Sequence, residues 1–267
     1  MKKSIRKIAP AMLVLLGLAT LSFTAKDGIT LRLQPQVGKH YTATTKQTSM
    51  SILDVMGQSQ SMTQTMETRQ SFSAKEVTDA QTVFETQMEA MKMTISQMGM
   101  KLEYDSEHPE KTSPMLAGQT AELEKELNLK KTVEATFNAF GEAVSEKDED
   151  ASNPLGNIIL KLPKEEIAVG STWSNDNSQS VSGTDFTMTT TYTVTAISKK
   201  SVDVSFTGTI TSEEVSGTSE GTASINPQTG IVTKLSSKSN MSMTVSEQGM
   251  SIPVTSVTNV TMTVEEK

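Results

Sequence analysis

The sequence predicts a mainly β protein: long antiparallel meander strands forming a curled sheet, half-barrel or sandwich, with one or two short helices from the middle segment packed on it. Three observations carry that prediction. Met250, Ile252, Val254, Val260, Met262 and Val264 share one parity, interrupted by Ser256 and Thr258, while the opposite parity is nearly all Ser, Thr, Pro, Asn and Glu. Alternation with a period of two lays one set of side chains on one face of a strand. The octet Met243–Met250 repeats the pattern of Met93–Met100, with Gly249 and Gly99 at the same place, so both read as strands meeting a glycine turn. Finally, Phe186, Met188, Tyr192, Val194 and Ala196 alternate with Thr187, Thr189, Thr191, Thr193 and Thr195.

Composition bounds the core and its chemistry. Of 267 residues 35% are hydrophobic and only 4% aromatic, so aliphatics and the 17 methionines must fill the interior. Methionine fills irregular gaps but specifies packing poorly, which predicts a loosely specified core with room for a void. Cysteine is absent, which excludes disulfides, thiolate metal sites and a lipid-anchored cysteine. The formal charge is −7, and loss of Lys2, Lys3, Arg6 and Lys7 with an export segment would take it to −11. Neither value favours nucleic acid as a partner.

Residues 1–25 read as an export signal peptide. Lys2, Lys3, Arg6 and Lys7 form a basic start, Ile8 to Leu21 is apolar, and small residues follow at Ser22, Thr24 and Ala25. Cleavage after Ser22, with Thr20 as the third residue before the cut in a small-x-small pattern, fits better than cleavage after Ala25, where Phe23 takes the matching place. The apolar run is short for a membrane span, which needs roughly 20 residues, although an uncleaved anchor is the rival reading. No other segment is apolar enough to span a bilayer. The mature chain is expected in the periplasm or outside the cell, soluble and not lipid-anchored.

Residues 26–267 are expected to form a single β-rich domain. Val37-Gly38-Lys39-His40-Tyr41 opens a Thr/Ser-rich strand to about Val55, and Gly57-Gln58 turns it into a second strand ending at Val77. Met62, Met66, Phe72 and Ala74 share a parity there. After Asp79-Ala80, Phe84, Met88 and Ala90 keep one parity, but Met91, Met93 and Ile95 take the other. That slip predicts a β-bulge near residues 88–91. Gly99 then turns the chain into Met100, Leu102 and Tyr104.

The segment 106–163 is an insert. Propensity makes Ala121 to Leu127 a helix, whereas the odd parity of Ala121, Leu123, Leu127, Leu129, Val133, Ala135 and Phe137 favours a hairpin turning near Asn128 to Lys130. Phe137, Phe140 and Val144 then fit a short amphipathic helix. Glu146 to Asn153 reads as an acidic, solvated loop. Ile158, Ile159, Leu160 and Leu162 read as a short apolar element docked on the sheet.

After Pro163, Val169-Gly170-Ser171-Thr172-Trp173 parallels the opening Val37-Gly38-Lys39-His40-Tyr41. Lys199-Lys200 turns the chain into Val202, Val204, Phe206 and Ile210. Asn226-Pro227-Gln228-Thr229-Gly230 has turn chemistry. The shared signatures leave open an internal duplication, with related halves at 29–105 and 164–267.

Val37-Gly38-x-x-Tyr41, Tyr104-Asp105-Ser106, Leu162-Pro163, Val169-Gly170-x-x-Trp173, Thr191-Tyr192-Thr193-Val194 and Gly221-Thr222-x-x-Ile225-x-x-x-Thr229-Gly230 together resemble a family of uncharacterised exported bacterial envelope proteins and lipoproteins. The resemblance spans most of the mature chain and implies a hairpin over Gln119 to Ala135. It implies no activity and no site residues. Members with a lipid-anchored cysteine differ from this chain, so tethering is not carried over.

Catalytic and metal-binding patterns fail on spacing. His40 opens a strand and His108 precedes Pro109, which leaves no cluster of the three or four ligands that a metal site needs. Gly217-Thr218-Ser219-Glu220-Gly221 matches the nucleophile-elbow pattern, but strands flank it and no histidine follows. Asp148-Glu149-Asp150 does not continue as a calcium loop, because Asn153 and Ile159 take the sixth and twelfth positions. Met91-x-Met93, Met98-x-Met100 and Met241-x-Met243 could offer thioethers to Cu(I), against the alternative of core filling. Neither an enzyme nor a cofactor is expected.

What remains is a one-sided sheet whose oily face must be covered. The leading expectation is a non-enzymatic envelope protein that binds or carries an apolar or lipid-like ligand in a Met-lined cavity. The candidate lining residues are Met188, Tyr192, Phe206, Met241, Met243, Met250 and Met262. The alternative is a structural or adhesive module that meets other envelope proteins through its hydroxyl face and edge strands.

Overall fold

Long paired strands dominate the computed structural model, which describes residues 28–144 and 154–267 except 56, 117, 119, 127, 182–183, 213–214 and 248–249. The expected signal peptide and the acidic run Glu146 to Asn153 lie outside the described residues. The strands are β1 (His40–Val55), β2 (Gln58–Val77), β3 (Gln81–Gln97), β4 (Met100–Asp105), β5 (Thr132–Asn138), β6 (Thr172–Val181), β7 (Thr184–Ile197), β8 (Val202–Thr211), β9 (Val215–Ile225), β10 (Val232–Glu247) and β11 (Met250–Glu266). One helix, α1 (Thr120–Glu126), lies between β4 and β5. All strands join one antiparallel sheet in the order β4-β3-β2-β1-β11-β10-β9-β8-β7-β6. The free side of β3 is shared, with β4 on Lys92–Gln97 and β5 on Gln81–Gln87. β4 and β6 are not paired to each other, so the sheet stays open.

Period-two alternation of apolar and hydroxyl side chains gives the sheet two different faces. Residues paired across an antiparallel ladder point to the same side, so the register sorts the sheet into an inner face with Tyr41, Ala43, Phe72, Val194 and Met262, and an outer face rich in Ser and Thr. The lower end of the inner face is covered by stretches outside the strands, residues 28–38, 139–144 and 154–170. Leu31, Leu33, Leu155, Ile158, Ile159, Leu160 and Leu162 come from these stretches and are buried against Phe72, Phe84, Val204, Ala223 and Leu235 of the sheet. They are held by Ile29 N–H to Ile167 O (2.9 Å), Leu33 N–H to Ala139 O (2.9 Å) and Gln34 N–H to Thr229 O (3.0 Å). The expected apolar element after Pro154 is therefore present and docked on the sheet.

The two Val-Gly-x-x-aromatic signatures build the same device twice. Gly38 (φ +80°) and Gly170 (φ +91°) take left-handed conformations just before β1 and β6, which glycine adopts without a Cβ penalty. Each aromatic then faces inward and stacks on the neighbouring strand: Tyr41 on Phe72 with centroids 5.1 Å apart, and Trp173 on Tyr192 at 5.0 Å.

The parity slip in β3 is a bulge. Arg69 opposes Ala90 and Gln70 opposes Met88, leaving Glu89 as the extra residue. Met88, Met91, Met93 and Ile95 consequently all face inward, while Ala90 turns outward. Further bulges fall at Lys75, Thr195 and Thr233, each tied by its side chain. Glu89 pairs with Arg69 (3.1 Å) and Lys75 with Glu134 (2.6 Å), while Thr195 and Thr233 hydroxyls donate to Asp203 O (3.0 Å) and Ser224 O (3.1 Å). Such insertions bend a strand and increase its twist.

Two expectations for the insert are corrected. The favoured hairpin over 119–135 has a strand only in its second half; its first half is helix α1, as Glu/Leu/Lys propensity predicts. Asn128 (φ +50°) and Lys130 (φ +58°) make the turn between them. β5 then pairs with β3 rather than with a strand at Ala121 to Leu127. The second correction concerns the amphipathic helix over Phe137 to Val144. Phe137 lies in β5, whose last residue is Asn138, and the Asn138 side chain accepts from the N–H groups of Phe140 (2.9 Å) and Glu142 (3.0 Å). An asparagine that bonds its own downstream backbone makes a turn in competition with a helix.

Candidate ligand-binding face

Following the register across the inner face exposes horizontal rows of side chains. One row runs Ser49, Thr258, Ser239, Ser219, Gly208, Thr190 and Asn175. Every member is small or polar, and Ser49 and Thr258 hydroxyls are 2.9 Å apart. Below it runs Tyr104, Met93, Met66, Gln47, Val260, Ser237, Gly221, Phe206, Tyr192 and Trp173. Above it lie Met62, Met241, Gly217, Ile210 and Met188, then Leu53, Val254, Met243 and Val215. From β1 across to β6 the inner face is thus two apolar bands divided by a hydroxyl seam, while on β2 to β4 the same row continues as Gln64, Ile95 and Leu102. Of the two residues that interrupt the parity of β11, Thr258 sits in that seam, and Ser256 lies in the row above it, between Ser51 and Met241.

The candidate lining residues divide between the bands. Tyr192 and Met262 are buried in the lower core, with Phe206 packed against it. Met188, Met241 and Met243 pack around Phe186, Ile210 and Val215 in a second cluster above the seam. The side chain of Met250 lies outside the described residues. Unlike the lower core, the upper cluster is built, among the described residues, from strand residues alone. Leu53, Ile252 and Val254 continue it as half-buried side chains.

The methionines of β2 and β3 extend the oily face beyond the seven candidates. Met66 lies directly opposite Met93, Thr68 opposite Met91 and Gln70 opposite Met88. Their common parity, once the bulge at Glu89 is allowed for, is the sequence signal that identifies them. Gln64 Nε2 donates to the Met93 sulfur at 3.3 Å. Helix α1 borders this side, where the Tyr104 hydroxyl donates to Glu124 at 2.9 Å.

The burial of the tyrosines has a measurable consequence. Burial pushes the Tyr192 phenol up to about 12. Tyr41 is also raised, by burial and then by the Glu266 charge, and Tyr104 by burial and its Glu124 hydrogen bond. These are the chain's three tyrosines. A raised folded-state value leaves stability intact below the unfolded value of about 10, and stability falls as pH climbs from there to about 12. Absorbance at 295 nm should accordingly show little tyrosinate at pH 10 in the native protein and about half in denaturant. Equal ionisation in both states would contradict the burial.

A groove of about 460 Å³ runs beside the start of β6, lined by Glu142, Lys161, Lys164, Glu166, Trp173 and Asn175 among others. Its polar groups are largely engaged. Lys161 O accepts from Trp173 Nε1 (3.1 Å) and Asn175 Nδ2 (2.8 Å), while Lys161 Nζ donates to Asp176 O (3.0 Å). The contacts screen the lower part of an exposed edge strand, where unpaired backbone invites intermolecular pairing.

His108 Nδ1 faces Glu110 at 3.3 Å, and His40 begins β1. Among the described residues no three His, Cys, Asp or Glu side chains gather as a metal site would require. The Gly217–Gly221 pattern lies inside β9, not on the strand-to-helix turn that a nucleophile elbow needs. No helix among the described residues is long and apolar enough to cross a membrane.

Residues 147–232 match a family of unknown function (DUF6263), in line with the resemblance to uncharacterised proteins. No curated protein matches the chain. Among solved structures, one titled for lipid–protein interactions in lipovitellin aligns with a TM-score of 0.50 at 14% identity, covering 86% of this chain and 25% of that one. The chain thus spans a quarter of that structure's length, and the likeness is one of fold. The translocator domain of autotransporter NalP from Neisseria meningitidis (TM-score 0.25, 9% identity, 86% of this chain and 90% of that chain) overlays too loosely to inform the fold. So does an outer membrane channel from Pseudomonas putida F1 (TM-score 0.27, 9% identity, 86% and 96%).

Proposed function

We propose that this chain is a non-enzymatic, exported envelope protein that holds an apolar, lipid-like ligand against the upper band of its inner face. The observation that carries the reading is the division of that face. The lower band is covered by residues 28–38, 139–144 and 154–170, whereas the cluster around Met188, Met241, Met243 and Ile210 contains, among the described residues, strand residues only. Phe186, Ile210 and Val215 at its centre are buried, and Met188, Met241, Met243, Leu53, Ile252 and Val254 around them are half-buried, which leaves apolar side chains for a ligand to finish covering. Methionine suits it, because a flexible thioether adapts to ligands of varied shape. The fold likeness to lipovitellin supports the reading to the extent that a structure described for its lipid contacts uses a similar sheet. Of the lining candidates, Met188, Met241 and Met243 would touch the ligand, while Tyr192, Phe206 and Met262 would form the packed floor below the seam.

Native mass spectrometry of protein from its own host should show a lipid-mass adduct, and the protein should bind cis-parinaric acid with a rise in fluorescence. Met188→Glu combined with Met241→Glu should abolish both signals while leaving the far-ultraviolet spectrum unchanged. Bare protein in the spectrometer together with no parinaric acid binding would overturn the proposal.

A further inference from the structure

We propose that the upper rim of β1 to β4, with the adjoining part of β11, docks on a neutral lipid surface by shallow apolar insertion, presenting the inner-face band to the membrane from which its ligand is drawn; this rests on the ligand-binding reading of that band. Large apolar side chains are exposed at this rim in unusual number. Met98 (72%) and Met100 (56%) flank the β3–β4 turn, and Met50 (48%) and Ile52 (42%) project from the end of β1. They are half of the eight large hydrophobic residues exposed among those described.

Their placement says what covers them. Met50 pairs with Val257 on the outer face, whereas Leu53 pairs with Val254 on the inner face. A ligand, or a protein laid on the sheet, would cover one face and leave the other wet. Hairpin tips entering a lipid surface bury both at once. The rim also lacks charge: no Asp, Glu, Lys or Arg occurs over residues 55–66, 93–100 or 248–264. Asp54, Glu247 and Lys101 sit at its margin, with Lys101 paired to Glu103 at 2.5 Å, so the margin offers no cluster of basic residues of the kind that recruits anionic headgroups. Insertion is limited to the tips, because the open sheet edges at β4 and β6 could not be carried into hydrocarbon without unsatisfied backbone groups.

Flotation of the full chain with phosphatidylcholine vesicles tests the docking. The protein should float with the vesicles, and raising the salt should not release it. Met98→Glu with Met100→Glu should weaken partition about tenfold or more. Met50→Glu, on a regular strand outside the turn, should weaken it independently of any effect on turn geometry. Absence of flotation, full flotation by all variants, or binding lost at high salt would overturn the docking. A lipid adduct in mass spectrometry on protein that does not float would sink the docking alone. Flotation by a protein that never carries a lipid would sink the ligand reading alone.

Discussion

Phe84→Ala should lower the unfolding free energy by about 3–5 kcal/mol, the range for removing a fully enclosed phenylalanine. The ring has no exposure at all and stands between Phe72 and Phe137, each with its centroid 6.0 Å away in an edge-on arrangement. Tyr41 extends the series by stacking on Phe72, so one aromatic column ties β1, β2, β3 and β5 together beneath the covering stretches. In a chain with so few aromatics, no spare ring can move into the vacancy. Leu33 sits above the same column, held near β3 by the Thr82 hydroxyl donating to its carbonyl at 3.3 Å. Partial collapse would have to drag that segment off its backbone hydrogen bonds. Chemical denaturation gives the number. Phe140→Ala provides the comparison, since that ring is half-buried with Arg32 and Lys164 over its face. A loss at Phe84 no larger than the loss at Phe140 would refute this account of the core.

The contrast between strand and insert shows which sequence signals survive folding. In β7 and β11 the hydrophobic period alone set the faces, because a strand buried on one side has no freedom to slip by one residue without exposing all its apolar groups. The break at Met88 to Met91 was equally readable, since only an extra residue restores the inward direction of Met91 and Met93. The insert failed for a different reason. Over Ala121 to Leu129 the same residues satisfy both periods, and Leu129, buried beside β3, is held there by Lys130 N–H bonding to Met88 O at 2.8 Å. That anchor is a long-range contact with no local trace. The hydroxyl seam was visible only in fragments. Ser256 and Thr258 registered as lapses in parity, but the alignment of Thr258 with Ser239, Ser219 and Thr190 depends on strand order. Neither the division of the inner face nor the partition of its methionines into two bands could be read before the register was known.

Gly221→Ala should destabilise the fold by about 3 kcal/mol, near the upper end for overpacking a close contact. A Cβ built at Gly221 would lie 2.3 Å from Ser236 O, 2.5 Å from Phe206 Cζ and 2.9 Å from Ser237 Cα. Two of these atoms belong to the backbone of β10, so rotating a side chain cannot relieve them. The Phe206 ring lies over the glycine and meets Tyr192 with centroids 5.7 Å apart, and it would be displaced from the floor below the seam. Glycine ordinarily weakens a strand, so an alanine that merely fitted would be neutral or stabilising, and the sign of the change decides the matter. Gly208 supplies the internal standard. Its Cβ would meet the Ser219 hydroxyl at 2.3 Å and Thr190 Oγ1 at 3.3 Å, and the nearest of these sits on a side chain that can rotate. Gly208→Ala should therefore cost no more than about 1 kcal/mol in the same denaturation experiment. If the order of the two is reversed, or if Gly221→Ala raises stability, then the close approach of β9 to β10 that seats Phe206 does not exist in solution, and the floor assigned to the ligand-binding face fails with it.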